Sequence, residues 1–255
     1  MARFVLVHGA FCGAWIWAPV MERLKAAGHS VEAFDLLGLG NDSTPASEAT
    51  LDACADRLCK VLAASTEPAI VVGHSMGGII ATQGAARCPK RVAALVYVAA
   101  FLPKNGQSLL DLTRLPEGAG DQVQANLKIE GAAAIMPADA SVAALYGCCA
   151  PEVAASAIAK HRPQPVAPFV TPVSIPPGAL DGIRRYYVLC TRDHAIPPAL
   201  QRRMIAENAC AEVIELETDH TPQLSMPDEL AQALRRFAMH STASAPSLFG
   251  SGRHG

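Results

Sequence analysis

The sequence predicts an α/β fold in which a mostly parallel central sheet is flanked by helices. Short apolar runs alternate with longer amphipathic stretches from the N-terminus to about residue 103. The alternation stops between about Lys104 and Gly182 and then resumes as far as residue 240. Hydrophobic residues make up 51% of the 255 residues and charged residues only 17%. This balance is typical of a globular chain with a large core.

The individual elements follow from the alternation in chain order. The predicted strands are FVLVHG (residues 4–9), VEAFDL (31–36), AIVVGHS (69–75), RVAALVYVAA (91–100), RRYYVLC (184–190) and EVIELE (212–217). The predicted helices span residues 14–28, 51–65, 76–88, 197–209 and 226–240. Strands that are apolar throughout, each followed by a helix, are typical of βαβ units that wind a parallel sheet.

Residues 104–182 interrupt this pattern and are interpreted as an inserted lid. They contain short helical pieces and a proline-dense stretch, HRPQPVAPFVTPVSIPPGAL, at residues 161–180. The core is therefore predicted to consist of residues 1–103 and 183–240. The remaining segment, residues 241–255, has the composition of a flexible C-terminal tail.

Composition and charge argue against several classes of partner. The net charge is −2, and the 21 basic residues are scattered among 23 acidic ones, so no basic surface for nucleic acid is expected. Residues 4–21 carry no charge, but His8, two glycines and Pro19 make a strand, loop and helix a better interpretation than a membrane or export segment. The eight cysteines lack zinc-type pairing and are interpreted as reduced thiols in a cytoplasmic protein without a metal.

The stretch VVGHSMGGII, residues 71–80, carries the strongest functional signal. Gly73, Ser75 and Gly77 fit the pattern G-x-S-x-G where a predicted strand turns into a helix. Flanking glycines allow the strained turn that raises a serine hydroxyl above the edge of a sheet, as in a nucleophile elbow. A plain helix cap at Ser75 is the alternative, whereas a phosphate-binding loop is disfavoured because its lysine and glycine spacing are absent.

A serine nucleophile needs a base, and the base needs an acid to orient it. The order nucleophile, acid, histidine along this type of chain favours His220, which lies between a late strand and the last helix. Asp193 follows the preceding strand and is the candidate acid. Asp219 is a rival by adjacency only, since consecutive side chains rarely face one another.

The oxyanion of an acyl-transfer reaction needs backbone N–H donors from two loops. The candidates are the N–H groups of Met76, which follows the nucleophile, and of Ala10, which follows the first strand. Phe11 is an alternative donor in the same loop. Gly9 would let that loop lie close to the nucleophile.

With these residues assigned, the chain resembles the α/β-hydrolase superfamily, and more narrowly the plant methylesterase and hydroxynitrile lyase family with its bacterial carboxylesterase relatives. The matching stretches include LVHGAFCGAWIW, VVGHSMGGI, YVAAFLP, LYGCCAPEVA and ETDHTPQLSMPDEL. The resemblance implies a core of the eight-stranded type, a lid over a mostly apolar pocket, and no cofactor.

Two positions bear on the choice between ester and cyanohydrin cleavage. Lyases of the rubber-tree type resemble this chain but carry a lysine after the catalytic histidine and a threonine at the position of Gly9; another lyase type has asparagine there. Here Thr221 follows His220 and cannot hold a positive charge near departing cyanide. The sequence therefore favours a serine carboxylesterase, with a hydroxynitrile lyase and a hydrolase-like ligand receptor as alternatives.

The expected partner is a small-molecule ester with small to medium apolar groups. Candidate pocket residues are Gly9, Phe11, Tyr146, Phe169 and Thr221. The physiological ester and the oligomeric state stay open, with a homodimer as one expectation.

Overall fold

The computed structural model describes residues 1–242 and contains the predicted α/β fold. The strands are β1 (Arg3–Val7), β2 (Ser30–Ala33), β3 (Ala69–His74), β4 (Val92–Val98), β5 (Lys128–Glu130), β6 (Ala133–Ile135), β7 (Gln164–Pro165), β8 (Arg184–Cys190) and β9 (Glu212–Leu216). Six of them form one parallel sheet in the order β2-β1-β3-β4-β8-β9. Among residues 1–242 this sheet therefore has six strands rather than the eight that the resemblance implied.

Helices cover both faces of the central sheet. They are α1 (Ala18–Ala26), α2 (Leu51–Ala63), α3 (Gly77–Arg87), α4 (Leu109–Thr113), α5 (Gln122–Asn126), α6 (Ala138–Leu145), α7 (Pro151–Ile158), α8 (Ala167–Val170), α9 (Pro198–Glu207), α10 (Pro222–Ser225) and α11 (Pro227–Thr242). One hydrophobic cluster joins the sheet to α2, α3 and α9, and a second joins its other face to α1 and α11.

Each central strand supplies side chains to both clusters in alternation. In β1, Val5 and Val7 pack on the side of α3, while Phe4 and Leu6 pack on the side of α1. All four are fully buried. Burial of one such side chain is worth roughly 1.5–3 kcal/mol, which explains why the strands are apolar throughout. The carboxyl ends of all six strands lie at one edge, where the residues predicted for catalysis follow them.

Two predicted elements differ from the structure by more than two residues at one end. The helix predicted for residues 14–28 begins as a 3₁₀ turn, Ala14–Trp17, and becomes α-helical at Ala18, where Pro19 fits the first turn. The strand predicted for residues 31–36 ends at Ala33, because the Asp35 carboxylate accepts the Ala14 backbone N–H at 2.7 Å and so lies outside a regular ladder.

Residues 104–182 contain five short helices and a three-stranded antiparallel sheet in the order β5-β6-β7. The sequence predicted no strands there, because strands of two or three residues are too short to show an alternating pattern. Backbone N–H groups tie this segment to the core: Ser174 donates to Gln83 Oε1 at 2.8 Å. The boundaries of a separate lid stay a prediction.

The C-terminal segment and the cysteines need two corrections. Helix α11 continues through Thr242, so the predicted tail begins two residues too early, and residues 243–255 lie outside the described part of the chain. Cys59 and Cys88 form a disulfide between α2 and the end of α3, with Cα atoms 6.0 Å apart. The expectation that all eight cysteines are reduced is wrong for this pair, because Cys59 and Cys88 are distant in sequence but meet where two helices pack.

No helix within residues 1–242 combines the length and the apolar composition that a membrane span requires.

Candidate active site

Ser75 lies in a strained turn between β3 and α3. Its φ of +54° is in the left-handed region, which costs a non-glycine residue roughly 1–3 kcal/mol unless neighbouring contacts hold it. The Ser75 N–H donates to Val98 O at 3.3 Å, and the Ser75 carbonyl accepts from Gly78 N at 3.0 Å and from Phe101 N at 3.2 Å. The backbone on both sides of the serine is therefore fixed to the sheet and to α3.

The glycines around Ser75 allow close approach of backbone to backbone. A Cβ at Gly77 would lie 2.6 Å from Val7 O, and a Cβ at Gly73 would lie 2.5 Å from Gly77 O. Helix α3 thus begins directly against the ends of β1 and β3, which places Ser75 at the middle of the sheet edge.

His220 and Asp193 meet at the same edge, in the loops that follow β9 and β8. Asp193 Oδ2 accepts the His220 Nδ1–H at 2.8 Å, and both residues are only 2% exposed. Gln201 Nε2 donates to the same oxygen at 3.0 Å, while Asp193 Oδ1 accepts two backbone N–H groups. The carboxylate is therefore fully hydrogen-bonded, which fixes the orientation of the imidazole.

The environment of His220 favours protonation. Burial lowers the pKa of this imidazole, but the charge and hydrogen bond of Asp193 together with the charges of Asp219 and Asp121 outweigh it, so the pKa lies above its usual value. Because Asp193 holds Nδ1, Nε2 is the nitrogen left for a substrate or a nucleophile. Ser75 and His220 line the same cavity, without a hydrogen bond between them among the described residues.

Asp219, the rival acid, contacts the segment of residues 104–182 instead of the imidazole. Its Oδ2 accepts the Cys148 N–H at 2.7 Å and its Oδ1 accepts the Thr221 N–H at 3.2 Å. The Thr221 hydroxyl donates to Leu145 O at 2.7 Å. The residues on both sides of His220 therefore attach its loop to the end of α6.

The loop after β1 brings Ala10 beside the Ser75 turn. The Phe11 N–H already donates to Gln164 Oε1 at 3.1 Å, so this alternative oxyanion donor is occupied. Within residues 1–242, neither the Ala10 nor the Met76 N–H has a hydrogen-bond acceptor. A Cβ at Gly9 would lie 2.8 Å from Ser75 Cβ, so glycine permits this close approach.

Gln164, which the sequence did not single out, contacts both candidate oxyanion loops. It is fully buried in β7, and its Nε2 lies 3.3 Å from Met76 Sδ while its Oε1 binds Phe11 N. Glutamine in a proline-dense stretch carries no recognisable pattern, so no sequence signal could have identified it.

Two further histidines support the site, and the sequence analysis assigned neither a role because their partners are backbone carbonyl groups that no motif encodes. The His8 Nδ1–H donates to Gly9 O at 2.8 Å, and this carbonyl belongs to the same peptide unit as the Ala10 N–H. His74 Nε2–H donates to His220 O at 2.8 Å, and the two rings lie 4.8 Å apart. Burial lowers the pKa of His8 to about 4 and lowers that of His74 well below its usual value, so both are neutral.

The cavity above Ser75 contains most of the predicted pocket residues. Phe11, Tyr146, Phe169 and Thr221 line it together with Ala10, Met76 and His220, and further apolar side chains complete its wall: Phe101, Leu109, Leu145 and Ile196. Gly9 is the exception, because it has no side chain and lies beneath its loop against Ser75 and His74.

Tyr146 brings a phenol into this mostly apolar wall. Its hydroxyl lies 2.7 Å from His161 Nε2, and burial lowers the pKa of His161 to about 4. The hydrogen bond between the phenol and this neutral imidazole keeps the ring of Tyr146 in place. No group of three or more potential metal ligands occurs in the described part of the chain.

Comparison with known proteins gives consistent similarities. Residues 4–233 match the model of the alpha/beta hydrolase family. Methylesterase 7 of Arabidopsis thaliana is 34% identical, with 92% of this chain and 96% of that protein covered. Salicylic acid-binding protein 2 of Nicotiana tabacum is 30% identical, again with 92% of this chain and 96% of that protein covered. The crystal structure of a pyrethroid hydrolase from Sphingobium faniae JZ-2 is 26% identical, with a TM-score of 0.83 and coverage of 97% of this chain and 99% of that one.

Proposed function

The chain belongs to the alpha/beta hydrolase family, within its methylesterase branch, and on that premise we propose that it is a serine carboxylesterase for small to medium apolar esters. Its similarity to a methylesterase and a pyrethroid hydrolase supports an esterase-type hydrolase of carboxylic esters. The serine mechanism and the preference for apolar groups are the proposed part.

The observation that carries the mechanism is the 2.8 Å hydrogen bond between His220 Nδ1 and Asp193 Oδ2, beside a strained serine that lines the same cavity. In the proposed reaction, Ser75 Oγ attacks the ester carbonyl while His220 Nε2 takes its proton. The imidazolium then protonates the departing alcohol, and Asp193 stabilises its charge. Water, activated by the same nitrogen, cleaves the acyl-enzyme and releases the acid.

The Ala10 and Met76 N–H groups are the proposed donors to the oxyanion. Their support is that neither has another acceptor within residues 1–242, whereas the Phe11 N–H is engaged with Gln164. His8 fixes the direction of the Ala10 N–H through the Gly9 carbonyl. Donors held in place before the reaction are worth more than donors that must reorganise.

The lyase alternative gains no support at the position after His220. Thr221 is neutral, and its hydroxyl is already engaged with Leu145 O. The names of the relatives, a methylesterase and a pyrethroid hydrolase, favour a hydrolytic reaction over cyanohydrin cleavage.

The test is hydrolysis of p-nitrophenyl esters from acetate to decanoate by the wild type, by Ser75→Ala and by a control, Ser47→Ala, at an exposed position. We expect Ser75→Ala to lose at least about a thousandfold in kcat, because removal of the nucleophile leaves only binding and oxyanion stabilisation. Ser47→Ala should match the wild type. Mandelonitrile cleavage is measured alongside, and cyanide release without ester hydrolysis would contradict the proposal.

A further inference from the structure

We propose that the cavity selects esters that carry a positively charged group, and that Asp121 pairs with that charge. The inference rests on the proposed esterase function and adds a substrate class to it. Asp121 lines the same cavity as Ser75 and His220 and is only 7% exposed.

The local structure holds the Asp121 carboxylate in a fixed orientation. Asp121 is the N-cap of α5, and its Oδ1 accepts the Val123 N–H at 2.8 Å and the Gln124 N–H at 3.0 Å. The next residue, Gln122, donates its N–H to His194 O at 2.9 Å, which attaches this turn to the loop that carries Asp193. One oxygen of the carboxylate is thus committed to the helix.

The other oxygen is free for a ligand. In the described part of the chain, Asp121 Oδ2 has no hydrogen-bond donor, and no lysine, arginine or histidine forms an ion pair with this residue. A carboxylate that is this deeply buried and unpaired is costly unless a cation joins it. Burial raises the pKa of Asp121 to about 6, so the carboxylate is ionised at pH 8.

The surrounding charges favour a cation over an anion. Asp193 and Asp219 lie behind His220 and add to the negative potential that Asp121 creates. No lysine or arginine lines the cavity, burial keeps His74 neutral, and His220 must itself be neutral to act as the base. Cavities that are lined by one sign of charge concentrate ligands of the opposite sign.

The rest of the wall suits an alkylated ammonium group. Phe11, Phe101, Tyr146 and Phe169 line the cavity with aromatic rings, which attract quaternary and protonated amines through their faces. A carboxylate together with several rings can replace the hydration shell of such a cation, whereas a strongly hydrated metal ion would find too few oxygen ligands.

The experiment compares two pairs of esters that differ only in charge. Acetylcholine and 3,3-dimethylbutyl acetate place the charged or neutral group in the alcohol. Methyl 4-(trimethylammonio)butanoate and methyl 5,5-dimethylhexanoate place it in the acid. At pH 8 we expect kcat/KM to favour the cation by about tenfold or more in at least one pair, since an opposite charge within 4–6 Å is worth about one to three pKa units.

Two variants assign any preference to Asp121. Asp121→Asn keeps the N-cap acceptor of α5 but removes the charge, and should bring the cation-to-neutral ratio of kcat/KM close to one. Glu130→Gln, at an exposed position of β5, is the control and should keep the ratio of the wild type. A loss of folded protein lowers the rates on both esters by the same factor and cancels in their ratio, so each variant serves as its own reference.

The outcomes separate this inference from the esterase proposal. Equal rates for the cationic and neutral members of both pairs, or a preference that Asp121→Asn leaves intact, would overturn the role of Asp121 while the esterase function stands. No hydrolysis of any neutral or charged ester by the wild type would contradict the esterase function itself.

Discussion

Three buried histidines show how one neighbour decides what a residue can do. His8, His74 and His220 are all at most 2% exposed. Burial lowers the pKa of His8 and His74, and their ring protons are committed to carbonyl groups. Of the three, only His220 is hydrogen-bonded to a carboxylate, and only its pKa is raised above the usual value. Proton transfer is therefore expected at His220 alone.

The raised pKa of His220 predicts the acid limb of the pH profile. A general base must be neutral to accept a proton, so kcat/KM should fall as the pH drops through a value above the ordinary histidine pKa of 6.5. Asp193→Asn removes the charge that raises the pKa, so the titration of His220 should move to lower pH. The wild-type limb is measured by kinetics and the shift by ¹³C NMR of labelled histidine.

A matched variant keeps this test specific. Asp181→Asn changes an exposed aspartate and should leave the titration of His220 in place. An unchanged His220 titration in Asp193→Asn would show that the carboxylate does not control the base.

At the scale of elements, the shortest strand has an important contact. Strand β7 contains two residues, yet Gln164 within it accepts the Phe11 N–H and approaches the Met76 sulfur. The loops that carry the Ala10 and Met76 donors are thus joined through a side chain of the segment 104–182. We infer that Gln164 is a positioning residue for the oxyanion donors.

Gln164→Ala should lower kcat by about tenfold to a hundredfold with little change in KM, because small displacements of catalytic donors are felt mainly in the transition state. Gln83→Ala is the matched control: Gln83 is also buried and also accepts a backbone N–H of the same segment, from Ser174. Steady-state kinetics with thermal unfolding of both variants separates the effects. Equal losses of activity in the two variants would reduce Gln164 to a packing role.

The elements that the sequence predicted have longer patterns of apolar residues than the elements that it did not predict. Strands β1, β3, β4 and β8 each contain four or more consecutive apolar residues, so the sequence indicated them directly. Ser75, Asp193 and His220 could be proposed because each directly follows a predicted strand or lies in the loop after one. Gln164 lies in a strand of two residues and Asp121 caps a helix of five residues. The positions of such short elements depend on tertiary packing.

At the scale of the whole molecule, the segment 104–182 and the core share one hydrophobic cluster. Phe169 in α8 belongs to the cluster that includes β1, α2 and α3, and it also lines the cavity. Val170 beside it is 47% exposed. The cavity wall and the core are therefore stabilised together, so a change to one affects the other.

Phe169→Ala should reduce the free energy of unfolding by about 3 kcal/mol, near the lower end for phenylalanine truncation because one side of the ring already faces a cavity. The same change should enlarge the cavity and shift the preferred p-nitrophenyl ester to a longer acyl chain. Val170→Ala should do neither. Urea unfolding and the ester series measure the two effects, and a destabilised variant with an unchanged chain-length preference would remove Phe169 from the substrate wall.

The strand order also determines when, during synthesis, the three proposed catalytic residues can come together. The Ser75 turn needs only β1, β3, β4 and α3, which a ribosome completes within about the first 100 residues. Asp193 and His220 follow β8 and β9, and β8 pairs with β4 although Ala94 and its partner Arg184 are far apart in sequence. A nascent chain therefore carries the proposed nucleophile without its base. On the proposed mechanism, hydrolysis begins only after β8 and β9 have joined the sheet, so recovery of activity reports the completion of folding.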